Sequence, residues 1–233
     1  QRQMCIRDRL EAMGYKKCED RREADIIIFN TCCVRENAEL RLYGNVGALR
    51  ELKESRPDMR IAICGCMMQQ PEVAEHIKKR FDFVDIVFGS HNTHSLPKLL
   101  FESLMENERQ FEIIDDAQTI IENEPVHRDS SFSAWITVGY GCNNFCTYCV
   151  IPYTRGRIRS LPLDEMAHQA AHLAAEGYRE IVVNGIEISS WGWEWKNGSR
   201  LSALLLAICQ AAPEVRILSL IHISEPTRHA QIS

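Results

Sequence analysis

Short apolar runs alternate along the chain with longer stretches in which apolar residues recur every three or four positions. The runs at Asp25–Asn30, Ile61–Cys64 and Phe83–Gly89 are rich in branched residues and read as buried strands. Leu10–Tyr15 reads as the end of a helix. Leu40, Tyr43, Val46, Leu49 and Leu52 predict a helix over 36–54, with Pro57 beyond its end. Pro71 opens a helix to Arg80, where a fixed φ and a missing N–H suit the first turn. A further helix covers 96–105. Strands alternating with helices predict a parallel α/β sheet.

Residues 115–131 are polar and broken by Pro125, which marks a linker. A second alternation follows: strand 133–138, helix 163–176, strand 180–184, helix 201–212 and strand 215–219. Leu163, Met166, Ala170, Leu173 and Ala174 form the buried stripe of the first of these helices. Three strand–helix units are too few to close a barrel. The expected organisation is therefore an N-terminal parallel α/β, Rossmann-like domain over 10–114, the linker, and the first part of a (β/α) barrel over 132–218. Residue 1 is Gln, and 1–9 and 219–233 continue no pattern around them. We expect these ends to be foreign to the fold, and the chain to be an internal fragment.

Composition narrows the class. At 45% hydrophobic and 25% charged residues the chain is ordinary for a globular protein. No apolar run reaches about 18 residues, so no transmembrane helix is expected, and no signal peptide is expected either. Ten cysteines are many for 233 residues. Without a secretory signal they point to metal or redox chemistry in a reducing cytoplasm, not to a disulfide framework. The net charge of −5 gives no global nucleic-acid signal, so RNA contact would need a local patch.

The densest chemistry is Cys142-Asn-Asn-Phe-Cys146-Thr-Tyr-Cys149, a C-x3-C-x2-C run. Iron–sulfur cubes are normally held by four thiolates. Three would leave one iron open, as catalytic zinc sites keep an open position. The run follows a strand and the turn residues Gly139 and Gly141, which places it where α/β barrels keep their active sites. A zinc loop or buried free thiols are the alternatives. Cys32 and Cys66 each follow a buried strand and so reach the C-terminal edge of one parallel sheet, where α/β proteins bind ligands. They suit a second cluster, or else pack as small hydrophobes. Cys33 and Cys64 read as packing residues, since strand side chains alternate between faces. His91 and His94 read as a surface loop.

The triplet resembles the radical S-adenosylmethionine (radical SAM) motif. Asn30-Thr-Cys32 with Val34-Arg35-Glu36-Asn37-Ala38, Cys64-Gly-Cys66-Met-Met-Gln69-Gln70, Val87-Phe-Gly89, and Gly141-Cys142 through Pro152-Tyr-Thr-Arg155-Gly156 together resemble the tRNA methylthiotransferases, over about residues 10–218. That resemblance implies two 4Fe-4S clusters, each on three cysteines, and SAM used twice. One SAM methylates a sulfur on the first cluster. The second, at Cys142, Cys146 and Cys149, yields the radical that abstracts hydrogen from adenosine C2. The implied substrate is N6-isopentenyladenosine just 3′ of the anticodon in the tRNA anticodon loop, where bases can be splayed out and read. An electron donor such as flavodoxin or ferredoxin, a cytoplasmic location and a monomer go with it.

By the same resemblance Cys32 and Cys66 are two ligands of the first cluster. Its third has no counterpart, since Cys5 lies too close to Leu10–Tyr15 and Cys18 reads as incidental. Tyr148 would lie near the SAM adenine, or pack. Gly185 and Glu187 would meet the SAM methionyl group. Arg155 would reach the SAM carboxylate or, with Arg157 and Arg159, RNA phosphates; a solvated turn is the alternative. Trp191, Trp193 and Trp195 would stack bases or pack a lid. One departure stands out. Asn184-Gly-Ile-Glu-Ile-Ser-Ser190 looks more like the sister branch acting on threonylcarbamoyladenosine, whereas Asn30–Gly44 looks like the dimethylallyladenosine branch. A ribosomal-protein aspartate as substrate, and a non-catalytic Fe–S RNA-binding module, stay open as other readings. Lacking a ligand and the rest of the barrel, the chain by itself is expected to be inactive.

Overall fold

The computed structural model describes residues 2–33, 37–114 and 130–219, with side chains from residue 6 onward. Val34–Glu36, the side chain of Cys5, most of the expected linker and residues 220–233 lie outside the described residues. The chain divides into two compact units: Gln1–His127 with Tyr148–Arg155, and Arg128–Thr147 with Gly156–Ser233.

The first unit is built on four parallel strands in the order β1 (Ile26–Thr31), β2 (Arg60–Gly65), β3 (Ile86–Phe88), β4 (Gln110–Glu112). The short β4 carries only one apolar residue, Phe111, and escaped the sequence pattern for that reason. The helices are α1 (Arg2–Ala12), α2 (Ala38–Gly47), α3 (Arg50–Ser55), α4 (Pro71–Arg80), α5 (Leu96–Glu106) and α6 (Ile151–Arg155). Because strand side chains alternate between faces, β2 feeds two cores. Ile61 and Ile63 pack with Leu42, Val46 and Leu49 around α2 and with Val73 and Ile77 of α4. Ala62 and Cys64 pack on the other face with Leu96, Leu99 and Leu100 of α5 and with Ile6 of α1. Ile6, from the stretch expected to be foreign, is only 5% exposed.

The single helix expected over 36–54 is instead α2 and α3, separated at Ala48–Leu49. Val46 and Leu49 are buried as expected, while within α2 Leu42 is buried in place of Leu40, which is 69% exposed. Under the α3 end, Lys53 Nζ donates to both oxygens of Asp85 at 2.8 and 3.0 Å, and Asp85 Oδ2 also accepts the Ile61 N–H at 2.8 Å. Both side chains are largely buried, so each needs the other.

The second unit has β5 (Ser133–Tyr140), β7 (Glu180–Gly185) and β8 (Arg216–Ser219) in parallel, with β6 (Arg159–Ser160) antiparallel on β5. The helices are α7 (Leu163–Ala175) and α8 (Leu201–Ala211). Ala134, Ile136 and Val138 of β5 are buried, as are Met166, Ala170 and Leu173 of α7 and Leu204 and Ile208 of α8. Trp135 on the other face of β5 is 47% exposed. This open parallel sheet is the start of a (β/α) barrel, as expected. No described helix is long and apolar enough to cross a membrane.

Replacing Ile63 with Ala should cost about 2–5 kcal/mol in urea unfolding, because Ile63 is fully buried. Leu40→Ala should stay within about 0.5 kcal/mol. Asp85→Ala should cost about 3 kcal/mol by stranding the Lys53 cation.

Candidate functional site

The register of the first sheet places the first pair of cysteines. Thr31 lies opposite Gly65 across β1 and β2, so Cys32 and Cys66 are the next residues on two adjacent parallel strands. Gly65 has φ 105°, and a Cβ there would stand 2.4 Å from Thr31 O. Only glycine lets β2 turn into the 3-10 helix Cys66–Gln69 against β1. Cys66 is 1% exposed.

The Cys66 sulfur is not in apolar surroundings. The Cys33 N–H donates to Cys66 Sγ at 3.2 Å. The Cys33 thiol, that N–H and the Arg155 guanidinium hold the Cys66 thiol below its ordinary range, against the opposing effect of burial. Cys33 is pushed up in turn by its hydrogen bond to Cys66 and by burial. The two shifts are linked: the contact between the sulfurs lowers Cys66 and raises Cys33. Cys33 was expected only to pack. It does pack on the sheet core, but its main-chain N–H and its thiol both serve Cys66. Its side chain also lies 3.5 Å from Thr154 Oγ1. Cys64 is fully buried in the core, as expected.

The segment after Cys149 packs within the first unit. Thr154 is 1% exposed, and its carbonyl accepts the Ser90 hydroxyl at 3.0 Å. Arg155 thereby stands against Cys66. The basic run from Tyr153 to Arg159 is divided between the units, Tyr153–Arg155 in the first and Gly156–Arg159 in the second. Arg157 instead caps the Phe145 ring at 4.2 Å.

In the second unit, β5 ends at Tyr140, and Gly141, with φ 74°, turns the chain into Cys142. A Cβ on Gly141 would lie 1.9 Å from Arg157 O. The loop is held open by polar contacts: the Cys142 N–H donates to Gly156 O at 3.1 Å, and Asn143 Oδ1 accepts the Ile158 N–H at 3.1 Å. The Asn144 N–H points at Cys142 Sγ, 3.4 Å away. Asn144 Nδ2 donates to Glu187 Oε2 at 2.8 Å, and the Ser189 hydroxyl donates to Glu187 Oε1. The loop is thus tied to the end of β7. Gly185 and Glu187 line a small cleft with Gly139, Gly141 and Ile188 at the C-terminal ends of β5 and β7.

Cys142 is buried, Cys149 half-buried and Cys146 exposed; all three are free. Among the described residues no three His, Cys, Asp or Glu side chains are gathered as a metal site. The donor chemistry nevertheless fits iron–sulfur ligation: three thiols lie in one loop, and no carboxylate or imidazole stands between them. Cys66, a thiol held below its ordinary range with an N–H aimed at it, fits the same chemistry. Tyr148 is 91% exposed. Of the three tryptophans, Trp191 is 1% exposed and its indole N–H donates to Leu161 O at 3.1 Å. Trp195 meets Trp191 edge-on at 5.0 Å, and Trp193 is 58% exposed.

Residues 2–89 match a family described as "Uncharacterized protein family UPF0004", and 136–222 match the radical SAM superfamily. The chain is 45% identical over 196 residues to a tRNA-2-methylthio-N(6)-dimethylallyladenosine synthase of Acetivibrio thermocellus, covering 84% of this chain and 41% of that protein. It is 50% identical over 183 residues to the synthase of the same name from Clostridium tetani, covering 78% and 40%. The chain belongs to the radical SAM methylthiotransferase family. It spans about two fifths of the length of these relatives. A radical S-adenosylmethionine methyltransferase, TsrM, from Kitasatospora setae shares the fold. Its TM-score is 0.51 at 13% identity, over 91% of this chain and 45% of that one. The cofactors of the methylthiotransferase family are 4Fe-4S clusters and SAM, and both cysteine sets offer thiolate chemistry suited to them.

Gly141→Ala should destabilise the second unit more than Gly177→Ala in chemical denaturation. Both glycines have positive φ, but only at Gly141 does backbone block the added Cβ.

Proposed function

We propose that the chain is the methylthiotransferase and radical SAM part of a tRNA-2-methylthio-N6-dimethylallyladenosine synthase. It would act at C2 of N6-isopentenyladenosine next to the anticodon. The observation that carries this reading is that two cysteine sets each follow the C-terminal end of a parallel strand, Cys32 and Cys66 after β1 and β2, and the run opening at Cys142 after β5. A non-catalytic Fe–S module needs only one set. The proposed division is a methylthiotransferase domain at 10–114, a linker at 115–131 and a radical SAM domain at 132–218.

Cys142, Cys146 and Cys149 would hold the SAM cluster, while Cys32 and Cys66 would supply two ligands to the sulfur-donating one. When bound, these groups supply a 5′-deoxyadenosyl radical and the sulfur to be transferred. The protein's own part is placement. Asn144 and Glu187 would fix the triplet loop to β7, and the N–H of Asn144 would stabilise the Cys142 thiolate, since hydrogen bonds to sulfur tune such clusters. Gly185 and Glu187 would offer a backbone edge and a carboxylate to the SAM methionyl group, whose ammonium a carboxylate suits. Tyr148 would lie by the adenine. Arg155, expected at the SAM carboxylate, is reassigned here to Cys66, because its guanidinium already lowers that thiol. An electron donor such as flavodoxin or ferredoxin, a cytoplasmic location and action as a monomer complete the proposal.

A second reading, threonylcarbamoyladenosine as substrate, is favoured by Asn184–Ser190 alone. Mass spectrometry of tRNA nucleosides from a deletion strain separates the two. Loss of methylthio-isopentenyladenosine is expected, and its persistence would refute the assignment. Anaerobic reconstitution should load about four irons on the triplet. Cys142→Ala should remove them, and zinc in their place would refute the cluster.

A further inference from the structure

Cys33, next to Cys32 and against Cys66, is left unused by the proposed function. Its backbone is fixed, because Thr31 is registered against Gly65 just before Cys32 and Cys66. Its amide nitrogen is 3.2 Å from Cys66 Sγ. A disulfide joins cysteines whose backbones lie side by side, and the Cys33 amide against the Cys66 sulfur sets these two residues side by side. Thr154 Oγ1, 3.5 Å from Cys33 Sγ, holds the Cys33 side chain from its other side. The pair is also unequal in access. Cys33 is partly exposed, whereas Cys66 is 1% exposed.

We propose that Cys33 and Cys66 form a thiol–disulfide modification site, closed by low-molecular-weight disulfides such as oxidised glutathione and reopened by thiols. Exchange begins at the accessible sulfur. Cys33 attacks one sulfur of the small disulfide, the S–S bond breaks, and the Cys33 proton ends on the thiol that leaves, giving a mixed disulfide. The Cys66 sulfur then attacks the Cys33 side of that bond and displaces the second thiol. Two protein thiols are oxidised by two electrons, one small disulfide is reduced to two thiols, and protons balance. Intracellular disulfides of this kind are transient and redox-sensing. In the linked form Cys66 has no thiolate to offer a metal. The pairing holds whether or not Cys66 is a cluster ligand.

The test uses the metal-free chain, incubated with oxidised glutathione, digested and read by mass spectrometry. The expected product joins the Cys33 and Cys66 peptides and is lost on adding dithiothreitol. It should persist in Cys32→Ala and be lost in Cys33→Ser, with thermal melting confirming that both variants fold. Glutathione adducts without a Cys33–Cys66 link would overturn the proposal. So would a link that runs through Cys32.

Discussion

Parallel strand pairing in register is the constraint on which each unit depends. Every parallel strand enters its sheet from the same side, so the chain leaves the sheet at one common edge. In the first unit, the pairing of Thr31 with Gly65 makes neighbours of residues that are 34 positions apart in the chain. In the second, the pairing of β5 with β7 brings the turn at Gly141 and the turn at Gly185 to one end. Neither arrangement needs the cysteines themselves. The hydrophobic faces on either side of each sheet fix the register, because a slip of one residue would move every side chain to the opposite face.

What the edges offer chemically is set by short-range polar contacts. Burial alone would raise a thiol and make Cys66 inert. The N–H and thiol of Cys33 and the guanidinium of Arg155 outweigh it and hold that thiol below its ordinary range. At Cys142 a main-chain N–H again faces sulfur, while Asn143 and Asn144 hold the loop through side-chain amides. The asparagines between the cysteines are therefore structural parts of the site, where the sequence shows them only as spacers.

The strands and long helices were legible because their apolar spacing is strong. The failures are local. β4 carries too little apolar sequence, and β6 and α6 are too short to show a period. The break between α2 and α3 carries no apolar signal of its own. Cys33 packs as its sequence suggested, but its contact with Cys66 was not legible. Alternation assigns a face within a strand, and Cys33 lies just past the strand's end, where alternation no longer applies.

The sequence by itself determined the α/β class, the two cysteine sets, their position after strands and the family they resemble, because these are properties of periodicity and spacing. Tertiary structure alone decided which groups face each sulfur. Arg155 follows Cys149 in the chain, yet it packs in the first unit beside Cys66. Trp191 is buried while Trp193, two residues on, is exposed. Such choices rest on packing and electrostatics between segments far apart in the chain, and no local pattern encodes them.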